Sequence, residues 1–127
     1  MEGQSEAGTA EIKKIYAYYD NNKPIPWIKI HNLPDHVYFN HSQHVVVGKV
    51  ACQTCHGPIE TMDQVYQFSS LSMGWCINCH RETGVQFKDN GYYASMYDSL
   101  HHQLDNHQIG KVTEAMVGGT ECQKCHY

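Results

Sequence analysis

The chain has 127 residues, ten of them histidine and six cysteine, and a formal net charge of −4. Its nine basic residues are scattered from Lys13 to Lys124, which excludes a nucleic-acid surface, and no run of about 18 apolar residues is present to cross a bilayer. Leu, Ile, Val and Phe supply only 24 of the 127 residues, too few for an ordinary side-chain core, while nine tyrosines and two tryptophans argue against disorder.

In chain order, residues 9–20 predict an amphipathic helix, with Ile12, Ile15, Tyr16 and Tyr19 at helical spacing. Asn21, Asn22 and Pro24 end it, and Pro24-Ile25-Pro26 forces an extended passage. Residues 1–26 therefore read as an N-terminal helix and Pro-rich linker ahead of one domain over 27–127. Residues 27–31 suit a short strand, 37–39 extend again, and 40–44 suit a helical turn. Residues 90–106 predict the longest helix, with Tyr93, Met96, Tyr97, Leu100 and Leu104 on one face. Thr113 is the expected cap of a last short helix before Gly118-Gly119. The expected class is mainly α with little regular strand.

Three copies of Cys-x-x-Cys-His consume every cysteine: Cys52, Cys55 and His56; Cys76, Cys79 and His80; Cys122, Cys125 and His126. This is the attachment pattern of c-type haem. The thiols at i and i+3 face one porphyrin edge from a helical turn, and the adjacent histidine ligates the iron. One copy could be a redox or zinc motif, but three that use all the cysteines predict three covalent haem c groups. A fold organised around three porphyrins also accounts for the thin apolar content. A zinc module would explain the cysteine pairs but not a histidine directly after each pair. A haem reductase would need one iron left open, against the surplus of histidines.

Three irons call for three distal ligands. His41 and His44, three apart on a helical turn, point to one side but are displaced along the axis, so two neighbouring irons could each take one. For the third, Met73 stands three residues before Cys76, and its thioether would raise that haem's potential relative to bis-histidine partners. His101 and His107 compete with it, and His31 is a candidate for this haem or one outside the chain. His102 reads as solvated, and His36, beside a proline turn, reads as an ordinary surface or hydrogen-bonding residue.

Covalent haem attachment takes place on the outer side of the energised membrane, yet residues 1–10 hold neither a basic n-region nor an apolar h-region. The expectation is a processed chain or a domain of a longer exported one, on the periplasmic side of a bacterial inner membrane.

The stretch Phe39-Asn40-His41-Ser42-Gln43-His44, followed by a haem motif, resembles the Phe-x-His-x-x-His opening of the class III multihaem cytochromes, the cytochrome c3 and triheme c7 family. The resemblance implies that His41 serves the haem at Cys52 and Cys55, and His44 the haem at Cys76 and Cys79. It also implies that Met73 stands where the family has a histidine for the last haem, at Cys122 and Cys125. A wider resemblance runs from about Glu11 to Tyr127. It is carried by the run from Ile30 to His44, the first motif with its following Gly57 to Met62, the stretch from Leu71 to Arg81, and the ending from Gly118 to Tyr127. These are similar to the multihaem subunit of bacterial alternative complex III, which carries five haems after a membrane anchor. With three motifs, the chain resembles its C-terminal three-haem portion. The resemblance implies an electron-transfer subunit without substrate chemistry of its own. Its partners would be an iron–sulfur subunit and a monohaem cytochrome or oxidase, with membrane association through partners or a further segment.

Overall fold

The computed structural model describes residues 5–126. Among them helices dominate: α1 (Glu6–Asp20), α2 (Cys52–His56), α3 (Met73–Glu82), α4 (Gly91–Met96), α5 (Asp98–Asp105) and α6 (Cys122–Cys125). A π turn (Ser42–Val47) and a 3-10 turn (Ile59–Thr61) complete the set.

α1 starts three residues before the predicted helix because Ser5, extended at φ −138° and ψ 162°, caps it: its hydroxyl oxygen accepts the Gly8 N–H. Asn22 turns the chain out at φ 50°. No residue of α1 is buried, and Tyr19 is 80 % exposed. The expected strand at 27–31 does not form. Pairing among the described residues is limited to two isolated antiparallel bridges, Val37 with His126 and Gly84 with Thr113. Trp27 and Ile28 stand out in solvent instead.

The helical turn expected at 40–44 is present but wide. The Gly48 N–H donates to Gln43 O at 2.9 Å, a five-residue reach that makes the turn π-helical. Gly48 fits because a Cβ there would come within 2.8 Å of His44 O. Such single π turns concentrate at functional sites, since they re-aim side chains that an α-turn would stack.

The side-chain core is small. Val85, Phe87, Tyr93 and Val112 are buried, with Val47, Tyr97, Leu100, Leu104, Ile109 and Val117 packed around them. The single helix expected over 90–106 bends at Tyr97 (φ −126°, ψ 39°) into α4 and α5. The bend goes with two aromatic anchors: Tyr93 Oη donates to Glu114 and Tyr97 Oη to Val117 O, both on the turn following Thr113. Thr113 pairs with Gly84 instead of capping a helix, and 114–119 closes as successive turns.

The described fold leaves a large surface open. It exposes 9801 Å², whereas a compact chain of 14.5 kDa exposes about 6900 Å². Buried apolar side chains alone do not account for a folded domain of this length.

Candidate haem sites

Each motif rides on a short helical element, but not identically. The first pentapeptide is α2 in full. The second occupies the middle of α3, whose N-terminus is capped by Ser72 Oγ accepting the Trp75 N–H. In the third, helix stops at Cys125 and His126 is extended (φ −112°, ψ 144°), pinned by its bridge to Val37 and by the Tyr38 N–H donating to Cys125 O at 2.9 Å.

Two motif imidazoles have their Nδ1 occupied, which leaves Nε2 as the nitrogen that would bind a metal. His80 Nδ1 donates to Gly119 O. His56 Nδ1 lies 3.0 Å from His31 Nε2, a hydrogen bond in which His56 is the donor when its Nε2 binds metal. Burial, and after it the imidazoles of His31 and His41, hold His56 below the usual histidine value, which favours the neutral, ligating ring.

The distal candidates face these rings. His41 and His56 lie with centroids 6.3 Å apart and planes within 6°. His44 and His80 lie 6.1 Å apart at 24°. Two imidazoles bound across one metal, each by a bond of about 2 Å, have centres roughly 6 Å apart. His44 Nδ1 donates to Asn40 O at 2.9 Å, again leaving Nε2 outward. Phe39 holds both distal rings, edge-on to His41 at 4.8 Å and stacked on His44 at 4.4 Å. It also lines a cavity of about 390 Å³ with His31, Val37 and His41.

Elsewhere the candidates separate. Met73 opens α3 and is 64 % exposed. His101 stacks on Phe87 (4.7 Å, 5°) and reaches Asp105 at 3.6 Å, while His102 pairs with Asp98 at 3.3 Å in solvent. His107 sits in a left-handed turn at φ 55°. The imidazole beside His126 belongs to His36, with centroids 5.1 Å apart and planes 16° apart. Spacing gave no notice of that neighbour, because it depends on a backbone bridge between residues 37 and 126.

Burial, and after it the nearby Cys79, Cys76 and Cys52, push the Cys55 thiol up. Burial, then Cys125 and Cys79, push up Cys76. α3 therefore neighbours both other attachment points.

The donor set fits haem. No three His, Cys, Asp or Glu side chains converge among the described residues. The imidazoles face one another in pairs, and each pair would hold an iron whose other donors a porphyrin would supply. Cysteine pairs on short helices, each followed by a histidine, define a c-type haem protein that carries electrons. The class III cytochrome c family model matches residues 20–126, which hold all three motifs, and the chain belongs to that family. No curated protein matches it.

Proposed function

We propose that the chain carries electrons along three covalent haems, one per motif, with His41 opposite His56 and His44 opposite His80. Haem c, when bound, supplies a one-electron iron couple whose potential the axial ligands and burial set. The residues do the rest. An imidazole on each face of an iron would leave no coordination site for a substrate, and Phe39 holds the rings of His41 and His44 at once. α3, beside both other motifs, makes its site the middle of the series. The observation that carries this is the pair of facing imidazoles, His41/His56 and His44/His80, at metal-bridging separation.

As to setting, the chain is read as the distal three-haem portion of a periplasmic subunit in a quinol-oxidising respiratory complex of the alternative complex III kind. There it would accept electrons from an iron–sulfur subunit and pass them to a cytochrome or oxidase. The long similarity to that subunit and the exposed Tyr19, Trp27 and Ile28 support this. A stand-alone periplasmic c7-like shuttle is the second reading, favoured by the family match itself.

Intact mass of the exported protein counts the haems, and three are expected. The reduced protein should not bind carbon monoxide; binding by the unmodified protein would point to a reductase with an open iron. Purification of the natural protein from solubilised membranes with an iron–sulfur partner separates the complex from the shuttle.

A further inference from the structure

His126 is the one motif histidine whose facing imidazole comes from outside the Phe39–His44 segment. The backbone holds that partner in place. The Val37 N–H donates to Pro34 O at 3.0 Å, closing the turn that presents His36. One residue on, Val37 bridges to His126 and Tyr38 donates to Cys125. His36 thus sits at the start of a segment fastened to the third haem motif, its ring nearly parallel to that of His126 at 5.1 Å. Of the other histidines named for this role, His31 is engaged on His56 and His101 between Phe87 and Asp105, and His107 lies in a left-handed turn with no contact to His126 among the ring pairs of the described residues.

We propose that His36 is the distal ligand of the haem attached at Cys122 and Cys125, and that this haem is bis-histidine and not histidine–methionine ligated by Met73. The inference rests on the three-haem reading above. The rings stand about 1 Å closer than two imidazoles bound across one metal at about 2 Å each. His36 is exposed on a turn, so a small side-chain rotation opens that gap. With the first two sites, all three irons then carry two imidazoles each, which draws their potentials together and makes the series close to level.

The test uses the fully haem-loaded protein and three variants, each first weighed for haem count. In the parent, three low-spin bis-histidine signals and no far-red sulfur-to-iron band are expected. His36→Gly should turn one haem in three high-spin and let the reduced protein bind one carbon monoxide, and added imidazole should restore the low-spin signal. Imidazole rescue separates a lost ligand from a misfolded chain. His36→Met should add a sulfur-to-iron band and raise one potential of the three. Met73→Leu should change none of these. If Met73→Leu opens an iron, or His36→Gly leaves three low-spin, carbon-monoxide-inert haems, the assignment is overturned while the three-haem reading stands. A parent chain without haem on Cys122 and Cys125 overturns both.

Discussion

Asn90 is the buried polar residue that ties the turn carrying His44 to the core, and its removal has a calculable cost. It is 7 % exposed. Its Nδ2 donates to Val47 O at 2.6 Å, and its Oδ1 accepts the Tyr93 N–H at 3.3 Å. One bond ties the π turn that carries His44 to the core; the other caps α4. Asn90→Ala loses an N-cap, about 1 kcal/mol. It also orphans a half-buried carbonyl, about 1–2 kcal/mol more. The sum is about 2–3 kcal/mol. With a guanidinium slope of about 3 kcal/mol/M for a domain of this size, the unfolding midpoint of the haem-loaded protein should fall by roughly 0.7–1 M. Helix content by circular dichroism and low-spin absorbance should be followed together, because release of the turn frees His44. Asn90→Ser keeps a cap but cannot reach Val47, so it should recover about 1 kcal/mol. An Asn90→Ala midpoint within about 0.2 M of the parent, at that slope, would refute the clamp.

Three further outcomes follow from the sites. Gly119→Ala puts a Cβ 2.7 Å from Glu114 O and 3.2 Å from His80 Nδ1; it should destabilise by about 1–3 kcal/mol and, by displacing the carbonyl that His80 donates to, raise one midpoint in a redox titration. His31→Phe removes the acceptor for His56 Nδ1, making that ligand less basic. A bond of about 1 kcal/mol corresponds to about 40 mV for one electron, so one midpoint should rise by that order, and an unchanged set contradicts the hydrogen bond's role. Tyr93, pushed up to about 12 by burial and then by Glu114, is held neutral in the fold. Its stabilisation is complete below its ordinary value near 10 and is lost as pH rises from there to about 12. After allowance for solvent near the hydroxyl, that loss is about 1 kcal/mol. Stability against pH over that range should be flatter in Tyr93→Phe.

Local chemistry was legible in the sequence, and long-range pairing was not. Cys-x-x-Cys-His states most of its own geometry, because thiols three apart need nothing beyond a helical turn; His126, extended past the end of α6, is the departure. The spacing of His41 and His44 likewise announced two imidazoles leaving one turn for two places; that the turn is π-helical depends on Gly48, which no periodicity reports. The 90–106 pattern carried its buried face through Tyr93, Tyr97, Leu100 and Leu104, but Met96, placed on the same face, is 62 % exposed. It missed the bend, because the hydroxyls of Tyr93 and Tyr97 find their acceptors some twenty residues further on. His36 read as a surface or hydrogen-bonding residue and is exposed; what the sequence could not show is its neighbour His126, 90 positions away.

Ten histidines in a chain proposed to hold three irons have a consequence for refolding. Thioether tethers do not let go when the chain unfolds, so the denatured state keeps its porphyrins while losing the turns that select their partners. His101, His102 and His107, held in the native fold by Phe87, by carboxylates or by a tight turn, then become competitors for the same metals. Recovery from denaturant should pass through wrongly wired states that resolve by ligand exchange. It should speed up at mildly acid pH, where loose imidazoles are protonated and withdraw from the contest.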